Sequence, residues 1–102
     1  MLSQYVKALI PTIRNYFVSQ PIEKAWIFGS CSRGEERPDS DIDIMVRYVG
    51  KDNISILTIT RISSQLGRLL NRKVDLVEDE RILPFAKDSA DKDKILIYER
   101  KN

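Results

Sequence analysis

The sequence predicts an α/β (α+β) domain, a mixed sheet of three to four strands with two long helices on one face. Three observations predict it. Residues 2–18 and 54–71 repeat apolar side chains at helical spacing. Short apolar or alternating runs at 24–28, 41–48, 73–77 and 95–98 read as strands. A Gly-Ser pair follows the first run and an Asp-x-Asp opens the second, and the two can meet only if the second strand begins near where the first ends. Those two strands are therefore expected to be antiparallel.

The first helix carries Leu2, Tyr5, Val6, Leu9, Ile10, Ile13, Tyr16 and Phe17 on its apolar stripe. Pro11 interrupts it, so the helix either kinks there or a new one starts with Pro11 in its first turn. Gln20-Pro21 marks a turn. Lys24 to Phe28 reads as a buried strand, with Trp26 in a core or an interface. Ser30 to about Gly34 gives one or two helical turns, stopped by the glycine. Glu35 to Ser40 is polar, holds Pro38 and reads as loop. Asp41 to Tyr48 is the second strand, and Gly50 to Asn53 a turn.

Ile54 to Asn71 is the second long helix. Asn53 is its expected cap, and Ile59, Ile62, Leu66, Leu69 and Leu70 are its expected buried face. Lys73 to Val77 makes the third strand, with Val74 and Leu76 on one face and Asp75 and Val77 on the other. Glu78 to Arg81 reads as a solvated charged loop. Ile82 to about Ala90 reads as a short helix, and Ile95 to Tyr98 as a last strand at a sheet edge. The terminal ERKN is expected to be loose.

Composition narrows the chemistry. At 102 residues the chain is expected to form one domain, 1–102. It ends about four residues after the last strand, so no second, base-gripping domain is expected. A formal net charge of +2 is too small to argue for nucleic acid, and no direct nucleic-acid partner is expected. No run is apolar enough to span a membrane, and the N-terminus lacks a signal-peptide pattern. Cys31 is the single cysteine and there is no histidine. That excludes an internal disulfide, a histidine base, a serine–histidine triad and cysteine- or histidine-based zinc sites. A cytoplasmic location is the expectation, and metal chemistry here has to be oxygen chemistry.

The candidate site is WIFGSCSRGEERPDSDIDIMV, Trp26 to Val46. Gly29 lets an oxygen-rich ligand approach the main chain, and the N–H groups at the following helix start favour phosphate. Ser30 can cap that helix or offer its hydroxyl to the phosphate. Asp41 and Asp43 are two apart on a strand and share a face, while Ile42, Ile44 and Val46 point into the core. Two adjacent carboxylates repel, and a divalent cation relieves that; magnesium commonly takes one or two carboxylates plus substrate phosphates. Asp75 sits mid-strand between apolar neighbours, where an unpartnered acid is costly. Beside Asp41 and Asp43 it completes a three-carboxylate cluster able to hold two magnesium ions and to take a proton from an attacking hydroxyl. The bland reading of Asp75 is an ion pair with Arg72 or Lys73, or exposure at a strand end. Glu78 and Asp79 are rivals for its role.

Gly29-Ser30, ten residues, then Asp41-x-Asp43 resembles the signature of the DNA polymerase β-like nucleotidyltransferase superfamily. GSCSRGEERPDSDIDIMV looks most like its minimal nucleotidyltransferases, the MntA-type antitoxins encoded beside HEPN-domain toxins. The resemblance implies that fold. It implies that Gly29 and Ser30 hold the nucleotide phosphates, that Asp41 and Asp43 coordinate magnesium, and that Asp75 is the third carboxylate. Arg33 is the extra positive contact, either to a phosphate or fixing the loop. Ser40 orients the loop before the acids, and Cys31 is inert packing. The implied activity is magnesium-dependent transfer of AMP from ATP to a hydroxyl, a tyrosine of a HEPN-domain RNase toxin, which silences it. The base would be held weakly or by a partner surface, for which Tyr98, Trp26 and Tyr48 are candidates; a homo- or hetero-oligomer is compatible with this. Two other readings stay open: a nucleotidyltransferase for a small molecule, as in aminoglycoside resistance, and an antitoxin that neutralises its toxin by binding alone.

Overall fold

A computed structural model of the chain describes residues 2–35, 37, 40–50, 54–79 and 93–101. The elements run α1 (Gln4–Phe17), β1 (Ile22–Ile27), α2 (Ser30–Arg33), β2 (Ile42–Tyr48), α3 (Ile56–Leu70), β3 (Val74–Glu78) and β4 (Ile95–Glu99). The four strands form one sheet in the order β3-β2-β1-β4. β1 pairs antiparallel with β2 and with β4, and β2 pairs parallel with β3. The sheet is mixed, β1 and β2 are antiparallel as expected, and β4 lies at an edge as expected. The helix expected over 82–90 lies outside the described residues.

One face of the sheet supplies the core. Ile22, Ala25 and Ile27 of β1, with Ile42, Ile44 and Val46 of β2, are fully buried against the helices. α1 contributes Val6, Ile13 and Phe17, and α3 contributes Ile62, Leu66 and Leu70. Alternation along β2 therefore sends Asp41, Asp43, Met45 and Arg47 to the opposite face. That second face is not fully open. Met45 is buried and Trp26 is 8% exposed, with Phe28 packed beside them. The Arg47 guanidinium and the Lys94 ammonium lie 5.4 and 4.9 Å from the Trp26 ring centroid, close enough for cation–π attraction.

α1 is a single helix with Pro11 inside it, so no second helix starts there. The carbonyl that Pro11 leaves without a donor belongs to Lys7, and both residues are exposed, so water can serve it. Ser3 caps this helix, its hydroxyl accepting from the Val6 N–H at 3.2 Å. α3 starts two residues later than expected. Its cap is Ser55, which accepts from the Thr58 N–H; Asn53 lies outside the described residues. Leu69, expected in the core, is 56% exposed. The buried stripe follows the four-residue step Ile62, Leu66, Leu70, which turns Leu69 outward.

β1 begins two residues early because Ile22 pairs with Tyr48 across a bulge. The chain end is less loose than its charge suggests. Arg100 donates from its backbone to Glu23 at 2.8 Å and from its guanidinium to the carbonyls of Ile22 and Gln20. Among the described residues no helix is long and apolar enough to cross a membrane.

Ser55→Ala should lower stability by about 0.5–2 kcal/mol in urea unfolding, while Ser55→Asp should be near neutral, because the cap needs a side-chain oxygen.

Candidate active site

β1 ends against the start of β2, where the Phe28 N–H donates to the Asp43 carbonyl at 3.2 Å. The chain then turns at Gly29 with φ 71° and ψ −151°, a backbone region essentially reserved for glycine. There is also no room for a side chain. A Cβ at position 29 would stand 2.7 Å from Asp43 Oδ2. Gly29 is itself the N-cap of α2, and Ser30 is the first helical residue and makes no capping bond. Of the two roles the sequence allows Ser30, capping is the one the structure does not show. Ser32 holds the turn instead, its hydroxyl donating to the Gly29 carbonyl at 2.8 Å. α2 lasts one turn and stops at Gly34, which is left-handed (φ 74°) as its place in the sequence predicts. Cys31 is buried and its thiol points at the Asp41 carbonyl, 3.6 Å away, in the packing role expected.

The parallel register of β2 and β3 places the acids. Asp43 is directly opposite Asp75, and Met45 opposite Val77. Side chains at paired positions share a face, on strands about 4.8 Å apart. Asp75 therefore projects on the acid-bearing side and is exposed, while Val74 and Leu76 face the helices. Asp43 is half-buried and its carboxyl is pushed up to about 6, by burial first and then by the negative charges of Asp75 and Asp41. The same register excludes the rival acids. Glu78 is level with Val46, about 10 Å further along the strand from Asp75. Asp79, expected in a solvated loop, is 5% exposed and accepts from Arg47 at 2.7 Å.

Cations hold the rim. Lys73 Nζ is 3.8 Å from Asp41 Oδ2, so the ion pair considered for Asp75 is made by Asp41. The Arg72 guanidinium donates to the carbonyls of Arg37 and Ser40, and the Ser40 hydroxyl accepts from the Arg37 N–H. Ser40 thus shapes the loop, as expected. Arg33 pairs with Glu35 at 2.9 Å and Asp93 at 2.7 Å, which ties α2 to the residues before β4. Of its two expected roles, fixing the loop is the one these contacts describe. Arg72, read from the sequence as an ion-pair partner for Asp75, is instead the clamp on this loop. Tyr98, Trp26 and Tyr48 do not form an exposed surface: Trp26 and Tyr48 are buried, and Tyr98 packs edge-on to Phe17.

Asp41, Asp43 and Asp75 are oxygen donors on one sheet end, and Asp43 and Asp75 have no ion pair among the described residues. Among the described residues no group of three Asp, Glu, His or Cys side chains is placed to hold a metal ion, so the three-carboxylate cluster expected from the sequence is not assembled. The oxygen chemistry of the donors still suits a hard divalent cation: Asp75 and Asp41 both act on Asp43 with their negative charge, and both are accessible to solvent.

The strand, glycine turn, single turn of helix and returning strand set the Asp43 carboxylate against the glycine. Residues 11–102 match the family described as Polymerase beta, Nucleotidyltransferase, and the chain belongs to that family. A Methanocaldococcus jannaschii relative, provisionally named a protein adenylyltransferase, is 30% identical over 85% of this chain and 87% of its own length. Among solved structures, a minimal nucleotidyltransferase is 25% identical, with a TM-score of 0.75 over 93% of this chain and 95% of that one. A chain of a toxin–antitoxin complex crystallised with AMP-PNP gives a TM-score of 0.77 at 20% identity, over 90% and 74% of the two chains. A chain of the tri-AMPylated Shewanella oneidensis HEPN toxin in complex with its MNT antitoxin gives 0.63 at 19% identity, over 94% and 71%. These last two likenesses are of fold.

Gly29→Ala should cost about 1–3 kcal/mol of stability from backbone conformation alone. It should also displace the Asp43 carboxylate, so nucleotide binding should fall by more than the loss of stability explains. Calorimetric titration of ATP against circular-dichroism melting separates the two.

The raised Asp43 value has a sign. An acid whose folded value lies above its unfolded one adds stability at low pH and loses it as pH rises through about 6. In metal-free buffer Asp43→Asn should therefore be more stable than the parent at pH 8, with the difference shrinking toward pH 4. Urea unfolding across that range measures it, and millimolar magnesium should reduce the gap at pH 8.

Proposed function

We propose that this nucleotidyltransferase moves AMP from ATP to a hydroxyl of a protein, a tyrosine of a HEPN-domain toxin, and so acts as the antitoxin. The observation that carries the reading is the packing of Asp43 against Gly29 and beside Asp75. It sets a glycine turn beside two carboxylates of the kind that bind a divalent cation and accept a proton. The names borne by the relatives support the substrate class. The AMPylated HEPN toxin bound to a chain of this fold supports the partner.

In the proposed reaction Gly29 and Ser30 hold the β- and γ-phosphates at the start of α2. Asp41, Asp43 and Asp75 would hold magnesium, which when bound supplies charge neutralisation for the phosphates. The acceptor oxygen bonds to the α-phosphorus as the bond from that phosphorus to the bridging oxygen breaks, and pyrophosphate leaves. Asp75, the exposed carboxylate at the far side from the glycine turn, receives the hydroxyl proton. Arg33 touches no substrate in this reading and positions α2 through Glu35 and Asp93. The protein's work is placement and electrostatics rather than covalent chemistry. A cytoplasmic setting goes with this reading, because the reaction consumes ATP.

Incubating the protein with α-labelled ATP, magnesium and a HEPN-domain acceptor should put label on the acceptor. Asp41→Ala and Asp43→Ala should each lower the rate on the order of 10²–10³-fold, as removal of charge stabilisation does elsewhere. Tight acceptor binding with no label at any magnesium concentration would mean neutralisation by docking. Label on an aminoglycoside but not on the protein would mean a small-molecule enzyme.

A further inference from the structure

The lateral order of the sheet sets the direction from which an acceptor arrives. At the end where the acids lie, the glycine turn follows β1, Asp41 and Asp43 open β2, and Asp75 stands on β3. Phosphoryl transfer places the attacking and leaving oxygens roughly in line, on opposite sides of phosphorus. With the phosphates on the β1 side, the acceptor comes past β3. β3 is an edge strand, with no described strand beyond it.

That corner carries a groove of about 670 Å³ between the end of α3 and the start of β3, lined by Ser64, Gly67, Arg68, Asn71, Arg72 and Lys73 among others, with no acid in its lining. Arg68 and Lys73 are exposed. Lys73, which pairs with Asp41, and Arg72, which holds the Ser40 carbonyl, both line the groove, so it shares two residues with the rim of the acid-bearing end. The helical layer behind it has the same sign: α1 and α3 contain Lys7, Arg14, Arg61 and Arg68 and not one Asp or Glu. The chain as a whole is nearly balanced, 17 basic against 15 acidic residues, so this is segregation of charge rather than excess.

We infer that the α3–β3 groove is the acceptor subsite and that it takes an acidic segment of the acceptor protein, carboxylates flanking the modified hydroxyl. This rests on the reading of the previous subsection and adds to it the chemistry that selects the substrate. A protein segment is favoured over RNA by the small number of cations and by Leu69 of α3 and Tyr16 of α1, which line a hollow beside Arg68. Arg68 and Lys73 attract and register the segment, which passes round the free edge of β3 to bring its hydroxyl to the exposed Asp75 on the other face.

Two fluorescein-labelled tyrosine peptides of equal length test this, one with glutamates on both sides of the tyrosine and one with lysines. Anisotropy without ATP reads binding, and transfer of labelled AMP reads the reaction. The acidic peptide should bind at least tenfold more tightly, lose that advantage at high salt, and be labelled with a lower KM at similar kcat. Arg68→Glu and Ser64→Glu, both exposed substitutions checked by melting, should each abolish the preference without changing the KM for ATP. Equal binding of the two peptides, or an acidic preference untouched by both variants, would overturn the inference. An RNA oligonucleotide of the same length binding more tightly than the acidic peptide would also overturn it. Acidic-peptide binding that depends on Arg68 with no AMP transferred would keep the subsite and sink the proposed reaction instead.

Discussion

A carboxylate oxygen of Asp43 occupies the space in which any side chain at position 29 would stand. That single close approach joins the two halves of the site. The turn after β1 can carry a phosphate only if its backbone is exposed, and glycine in its reserved conformation exposes it. The same absence of a Cβ lets β2 bring its acid directly beneath the turn. Antiparallel pairing of β1 with β2 makes the approach inevitable, because the end of one strand is the beginning of the other.

Concentrating acids in this way has an electrostatic cost. Asp43 is half-buried, next to two like charges, and has no cationic partner of its own among the described residues. Cations are instead placed around the edge. Lys73 faces Asp41, Arg72 grips the carbonyls of the loop that delivers it, and Arg33 binds Glu35 and Asp93. Each keeps its own job and leaves Asp43 and Asp75 available. At the other end of β2, Arg47 is committed to the buried Asp79 and the face of Trp26. The sheet therefore separates an end where Arg47 and Asp79 are paired from an end where Asp43 and Asp75 have no ion pair among the described residues.

Much of this was legible beforehand, for reasons that differ by element. α1 and α3 announced themselves through apolar periodicity, since burial of one helical face demands it. The pleat put Asp41 and Asp43 on one side without any knowledge of neighbours. The errors cluster where a residue's local character was overruled by a distant partner. Asp79 looked solvated and was buried by Arg47. Arg100 looked loose and was held by carbonyls of the α1–β1 turn and of β1. Leu69 looked like core, but the stripe of α3 turned past it.

What the sequence determined by itself is the set of local geometries: where glycine must sit, which face each strand residue takes, and that any metal must be bound by oxygen. Those follow from dihedral preference, strand periodicity and the absence of histidine, which act within a few residues. Tertiary structure alone decided that Asp75 stands opposite Asp43 rather than Met45, because the pairing of two strands some thirty residues apart is not written in either strand's own alternation. It also decided which cation answers which acid. Side-chain partners more than thirty residues apart in the chain are chosen by packing, and no local pattern encodes that choice.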